Sequence, residues 1–176
     1  MTSTSGRKSD ERDQAVGAIF PDPAHDHRRC ASNSVAAAEA HCSGKGVRLS
    51  AMRRAVLEQL AESHEPLGAY EILDRLSAVG GRPAPISVYR ALSFLTGEGL
   101  SHRIESLNAY VACAETHTET QPLVFLICET CRQVGEAKAV DLGIKVDTVA
   151  RAAGFEPRRA ALAIFGVCEH CRTGRG

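Results

Sequence analysis

The chain contains 176 residues, of which 44% are hydrophobic, and its 21 basic and 21 acidic side chains give a formal net charge of zero. This length allows one domain or two small ones with a core, and the neutral balance excludes a polybasic protein held to nucleic acid by bulk charge. No apolar run approaches the roughly 18 to 20 residues that span a bilayer, so we expect a soluble, cytoplasmic protein without a membrane partner.

Residues 1–44 carry scattered charges, two prolines and a short alanine run, with little sustained hydrophobic period. This composition predicts a flexible N-terminal arm. Potential metal ligands in the arm are His25, His27, Cys30, His41 and Cys42. They could hold a metal, but side chains without fixed geometry are the ordinary content of a solvated tail.

Two amphipathic helices are predicted after Lys45. The first begins at the N-cap Ser50, and the second ends at Gly80-Gly81. Their apolar residues recur at helical spacing and are Leu49, Met52, Val56, Leu57 and Leu60 in the first helix and Ala69, Ile72, Leu73, Leu76 and Val79 in the second.

A third helix is predicted beyond Pro85, with Ser87 as its N-cap and Gly97 at its end. Its buried stripe consists of Val88, Ala91, Leu92 and Leu95, which leaves Tyr89, Arg90 and Ser93 on the outward face.

Two short strands, 100–105 and 109–113, follow the third helix and predict a hairpin. Three helices and a hairpin form the pattern of a winged helix-turn-helix.

Arg90 is expected in the first turn of the third helix, where side chains reach base edges in the major groove, and its guanidinium matches guanine N7 and O6. The alternative is that Arg90 is a solvated surface residue. Tyr89 beside it can bond phosphate, which favours contact with DNA.

Charge is nearly balanced within this predicted DNA-binding region. Residues 45–105 contain eight basic and seven acidic side chains. A monomer would therefore bind DNA weakly, so we expect a homodimer that doubles the contacts on a pseudo-palindromic site in double-stranded operator DNA.

Two CxxC pairs lie in the second half of the chain, Cys128 with Cys131 and Cys168 with Cys171. Each pair can direct two thiolates at one ion, and two pairs complete the tetrahedral all-sulfur set of a structural zinc site. The alternatives are a redox dithiol or disulfides. We call this group the four-cysteine site.

An apolar stretch precedes each CxxC pair, at residues 123–127 and 161–167, so two neighbouring strands could bring the pairs together. Between them, Asp141 can cap a helix that ends at Gly154. This arrangement predicts a small α/β unit suited to dimerisation.

A second set of metal-ligand types lies near the boundary between the two halves, and we call it the junction site. It comprises His102, Cys113, His117 and Glu136. One thiolate with imidazoles and a carboxylate suits an exchangeable zinc site better than a redox iron site. Taken singly, each has an ordinary alternative role, as a surface residue or, for Cys113, as a small buried apolar group.

Several motifs together resemble the ferric uptake regulator (Fur) family, and most closely its zinc-sensing branch, the zinc uptake regulators (Zur). They are RLSAMRRAVL, AYEIL, VYRALSFL, HRIESLNAYVAC and the paired CxxC, within about residues 45–172. The resemblance implies an α+β protein with an N-terminal winged helix-turn-helix domain followed by a small α/β dimerisation domain. It also implies that metal in the junction site closes the dimer into a DNA-binding shape.

The resemblance assigns roles to individual residues. Cys128, Cys131, Cys168 and Cys171 match the structural zinc ligands, His102, Cys113 and Glu136 match three sensing ligands, and Arg90, Tyr89, Tyr70 and Arg53 match DNA-contacting positions. The fourth sensing ligand would fall at Gln121, which is a poor zinc ligand, so either His117 or water completes the set. About two zinc ions per subunit are implied.

We therefore expect a zinc-responsive repressor of zinc-uptake genes and not an enzyme. The alternatives are a repressor of the same family that senses iron or manganese, or a thiol redox switch. A zinc hydrolase is disfavoured because the chain has no HExxH motif. The expected organisation is an arm (1–44), a winged-helix DNA-binding domain (45–113), a hinge (114–122), a dimerisation and metal-binding domain (123–172) and a tail (173–176).

Overall fold

The computed structural model describes residues 19–20, 27–80, 82–113, 123–138, 140–157 and 160–174. Its helices are α1 (His27–Gly44), α2 (Ala51–Ser63), α3 (Ala69–Val79), α4 (Pro85–Gly97), α5 (Val140–Ala152) and α6 (Glu169–Arg172). Its strands are β1 (Ser101–Ile104), β2 (Ala109–Ala112), β3 (Leu123–Cys128), β4 (Val134–Lys138) and β5 (Ala161–Gly166). Across these ranges, no helix combines the length and apolar character needed to cross a membrane.

Helix α1 occupies part of the segment that the sequence predicted to be a flexible arm. Its buried face consists of Ala31, Val35, Ala38 and Cys42, each no more than 6% exposed. The flexible-arm prediction therefore fails for residues 27–44, because small side chains spaced by three or four residues let α1 pack closely on α2. A metal site in the arm is also not formed by Cys30, His41 and Cys42 among the described residues. His25 lies outside them, as does the side chain of His27.

Helices α2 and α4 carry the centre of the core. The predicted buried stripe of α4 is confirmed, since Val88, Ala91, Leu92 and Leu95 are all no more than 2% exposed. The Ser50 hydroxyl accepts the Arg53 N–H at the start of α2, which also confirms the predicted cap.

The start of α4 differs from the prediction. The helix begins at Pro85, with Ala84 as its N-cap, and Ser87 is its third residue. Proline is favoured at the first helical position because its φ is already helical and its missing N–H would have no partner there. Arg90 is consequently the sixth residue of α4 and lies in the second turn, not in the first.

The predicted hairpin is confirmed. Strands β1 and β2 pair in antiparallel register, with Ser101 opposite Ala112. The hairpin packs on the following sheet through Ile104 and Val111, which form one buried cluster with Phe125 and Ile127 of β3. This cluster places the hairpin against the sheet that carries Glu136 and positions the four cysteines.

The three-stranded sheet has the order β4-β3-β5. Strand β3 is antiparallel to β4 and parallel to β5, with Cys128 opposite Gly166. The two CxxC turns therefore lie at the same end of the sheet, where β3 and β5 end, as the paired apolar stretches predicted. Helix α5 begins at Val140, so Asp141 lies within the helix and not before it, where the predicted cap would stand.

Candidate metal centres and nucleic-acid interface

The four-cysteine site forms where β3 and β5 end. The four Sγ atoms of Cys128, Cys131, Cys168 and Cys171 all lie within 4.8 Å of one another. The Sγ atoms of Cys131 and Cys168 are 3.8 Å apart. A tetrahedral zinc ion with Zn–S bonds of about 2.3 Å has S···S edges of about 3.8 Å, whereas a disulfide needs about 2.05 Å. The donor set and its spacing therefore fit zinc.

The thiols of this site have strongly different acidities. Burial raises the pKa of Cys128, but three backbone N–H groups outweigh it and bring that pKa down to about 6. Burial and the surrounding thiols raise the pKa of Cys171 to about 12, and burial also raises the pKa of Cys131. One thiolate is stabilised by the backbone, and further ionisation is opposed by like charge. A divalent cation would remove this opposition.

The junction site combines residues of the hairpin and of the sheet. His102 lies on β1, Cys113 directly follows β2, and Glu136 lies on β4. The His102 Nε2 is 3.0 Å from the Cys113 Sγ and 3.8 Å from the Glu136 Oε1, and the Cys113 Sγ is 4.0 Å from the Glu136 Oε2. These distances bracket the edges of about 3.5 Å expected of a tetrahedral zinc site with mixed ligands.

Local structure explains why these three side chains meet. Glu136 faces the hairpin because its register partner is Phe125, which belongs to the buried cluster beneath the hairpin. The His102 ring lies 5.7 Å from the Phe125 ring, centre to centre. The side chains of His102 and Glu136 are only 18% and 7% exposed, so water competes poorly with a bound ion. His117 and Gln121 lie outside the described residues.

The predicted DNA-contacting residues divide into two groups. Tyr89 and Arg90 are exposed on α4, and Tyr70 at the start of α3 is 67% exposed. Arg53, in contrast, is half-buried in the first turn of α2. Its guanidinium stacks on Phe94 of α4 and donates to the Arg48 carbonyl. The hydrophobic pattern did not indicate this role for Phe94, although its place four residues after Arg90 puts it beside the outward face.

Comparison with known proteins gives consistent matches. Residues 44–165 match the model of the Ferric uptake regulator family. The Zinc uptake regulation protein of Escherichia coli (strain K12) is 34% identical over 137 residues, which cover 78% of this chain and 80% of that protein. The crystal structure of holo XcZur has a TM-score of 0.72 and 37% identity, and covers 80% of this chain and 98% of that chain.

A further solved structure shows a zinc uptake regulator complexed with zinc and DNA. It has a TM-score of 0.74 and 32% identity, and covers 82% of this chain and 96% of that chain. With these matches, the predicted fold class, a winged-helix domain followed by a small α/β domain with a four-cysteine site, is confirmed.

Proposed function

The chain belongs to the ferric uptake regulator family, and we propose that it is a zinc-responsive transcriptional repressor of zinc-uptake genes that binds operator DNA as a homodimer. Membership of a family of transcriptional regulators also means that the protein is not an enzyme, which removes the zinc hydrolase from consideration.

The observation that carries this proposal is the composition of the junction site. Two of its ligands, His102 and Cys113, belong to the hairpin, and the third, Glu136, belongs to the sheet. Zinc, when bound, supplies the positive charge that holds these three donors together. A ligand shifts a conformational equilibrium only if it binds one state more tightly, and only the arrangement that brings hairpin and sheet together completes this site.

The proposal extends to features that the described residues do not include. We assign the fourth ligand to His117, in the proposed hinge 114–122, because it follows Cys113 closely in the chain. With the four-cysteine site this gives two zinc ions per subunit, one structural and one regulatory. We place the protein in the cytoplasm, with the winged-helix domain at 45–113 and the dimerisation domain at 123–172.

The proposed DNA-binding surface is the outward face of α4. Arg90 would read guanine in the major groove from the second turn, while Tyr89, Tyr70 and Arg53 would contact phosphates. Dimerisation would use the apolar surface of α5 and β5 and the residues after each, where Ile144, Val149, Phe155, Leu162, Ile164, Phe165 and Val167 are between 44% and 70% exposed. A patch of this kind commonly marks a protein–protein interface.

Two alternatives differ in chemistry. A sensor of iron or manganese would be expected to rely on nitrogen and oxygen ligands, whereas the Cys113 thiolate favours zinc. A thiol redox switch would hold no tightly bound metal. Metal analysis of the reduced protein tests the redox switch, because less than about one zinc per subunit would favour it over a structural zinc site.

An operator-binding titration tests the sensing claim. Gel shifts on an operator fragment should show binding that rises with zinc in the wild type and no longer responds to zinc in Cys113→Ser. Cys30→Ser, which removes a half-buried thiol of α1 outside both sites, is the matched control and should behave as the wild type. Wild-type binding that is indifferent to zinc, or a Cys113→Ser variant that still responds, would sink the proposal.

A further inference from the structure

The turn after α2 contacts the start of β4 at a place separate from the junction site. The Val134 N–H donates to the His64 carbonyl at 3.1 Å. The Arg132 Nε lies 3.8 Å from the Glu65 Oε2. We call these two interactions, one between backbone groups and one between charges, the α2–β4 contact.

The α2 side of this contact is held from both directions. His64 ends α2 in the left-handed conformation with φ of 50°, and the Ser63 hydroxyl accepts the Glu65 N–H at 3.2 Å. Immediately afterwards Leu67 exchanges two backbone hydrogen bonds with Tyr110 of β2, both 2.9 Å long. The His64 carbonyl therefore has a fixed position relative to both α2 and the hairpin.

The β4 side is held by the first CxxC turn. The Arg132 N–H donates to the Cys128 carbonyl at 2.9 Å, and Arg132 has a positive φ of 63°. A left-handed backbone conformation is unfavourable for most residues other than glycine and asparagine, so it persists only where the surrounding structure enforces it. Val134 then begins β4, opposite Ile127 of β3, with its N–H directed at α2. The α2–β4 contact thus joins two prearranged segments.

The strand connects this contact to the metal ligands. Val134 and Glu136 are two residues apart on β4, so they point to the same face and lie about 7 Å from each other. Fixing Val134 against α2 also fixes where Glu136 lies relative to His102. Because α2 and α4 share one hydrophobic core, α4, which carries Tyr89 and Arg90, keeps its position relative to α2.

We infer that His64, Glu65, Arg132 and Val134 form a further inter-domain contact, in addition to the junction site and the buried cluster of hairpin and sheet, which positions Glu136 opposite His102 and favours the DNA-binding arrangement even before the junction site is filled. The inference rests on the proposed function. The Arg132 and Glu65 side chains are 63% and 41% exposed, so their ion pair is the weaker component and the backbone hydrogen bond the stronger one.

The first test uses hydrogen exchange and does not depend on zinc sensing. In full-length Cys113→Ser protein, whose junction site is impaired, the Val134 amide should exchange at least about fivefold more slowly than an unstructured amide. Exchange at the unstructured rate would overturn the inference. This result holds even if operator binding proves indifferent to zinc, so a failure of the proposed function remains distinguishable from a failure of the contact.

The second test measures zinc affinity of the junction site by competition with a chelating indicator. Val134→Pro removes the donor at the first residue of an edge strand, where proline is tolerated. Its junction-site affinity should fall about fivefold, and its zinc-loaded operator affinity should also fall. Zinc at the four-cysteine site should remain at the wild-type level. A merely structural role would lower the melting temperature without changing junction-site affinity, and that outcome would overturn the inference.

Charge exchange provides a rescue that is independent of proline. Glu65→Lys faces Arg132 with a like charge and should speed Val134 exchange and weaken junction-site zinc binding by about twofold or more. Adding Arg132→Glu should restore both. Glu62→Lys, which makes the same charge change at an exposed position of α2, is the control and should leave both unchanged. A double variant that fails to recover would count against the contact.

Discussion

The guanidinium carbon of Arg53 lies 3.4 Å from the centre of the Phe94 ring, and this stack connects the first turn of α2 to α4. Because Arg53 also donates to the Arg48 carbonyl, its side chain is held in one orientation. A fixed cation beside α4 suits a phosphate contact, which carries no sequence information by itself.

Replacing Phe94 by leucine should therefore weaken binding to operator and to scrambled DNA by a similar factor, about two- to fivefold, because the lost stack is worth about 0.5 to 1 kcal/mol. Fluorescence anisotropy with both DNAs measures this. Val79→Ala, which shortens an apolar side chain that is 77% exposed at the end of α3, should change neither affinity. A loss confined to the operator would contradict a phosphate role for Arg53.

Arg90 should behave differently, because a base contact discriminates between sequences. Arg90→Ala should lower operator affinity about tenfold or more while changing affinity for scrambled DNA much less, since a bidentate contact with guanine is worth about 1 to 3 kcal/mol. Lys145→Ala, which removes an exposed positive charge from α5, is the matched control. Equal losses on both DNAs would assign Arg90 to the backbone instead.

Ile164 tests the proposed dimer surface. It is 45% exposed on β5, and Ile164→Asp would place a charge in the apolar interface, where desolvation is costly. We expect sedimentation to show monomers, and we expect gel shifts to show that operator binding is lost. Val79→Asp introduces the same charge at a valine that is 77% exposed at the end of α3, and it should remain dimeric. A dimeric Ile164→Asp variant would move the interface elsewhere.

Glu98 predicts a pH dependence of stability. Hydrogen bonds from Lys45 and His41 hold its pKa below the ordinary value of 4.5. Since the folded-state pKa is the lower one, the stabilisation is present above about pH 4.5 and is lost as the pH falls through the folded-state pKa. Wild type should thus unfold at higher urea than Glu98→Gln at pH 7, and the difference should shrink at pH 3.5.

The control for this comparison is Glu62→Gln, at an exposed position of α2. It should match the wild type at both pH values. If the difference between wild type and Glu98→Gln is the same at pH 3.5 and pH 7, ionisation of Glu98 is not its source.

Sequence patterns predicted the elements whose apolar residues are large and regularly spaced. Leu57, Leu92 and their neighbours gave α2 and α4, and the alternation around Asn108 gave the hairpin. The four-cysteine site could be predicted from the sequence for a similar reason. The two cysteines of each CxxC pair are close in the chain, so only the pairing of two strands had to be assumed.

Other features depend on information that a hydrophobic pattern does not contain. Helix α1 buries alanines and Cys42, whose small side chains give a weak signal although they pack closely. Helix α4 begins two residues before Ser87, the predicted cap, because Pro85 occupies the first helical position. The stronger part of the α2–β4 contact joins a backbone N–H to a backbone carbonyl, and these groups occur in every sequence, so no residue pattern indicates it.

The parallel pairing of β3 with β5 has a consequence for the order of events in folding. The Cys168 N–H donates to the Cys128 Sγ across 40 residues of chain, and parallel strands cannot be joined by a tight turn, so neither CxxC pair can recruit its partner early. A single pair offers two thiolates and holds zinc weakly. All four thiolates can therefore hold one zinc ion only after β3 and β5 have paired.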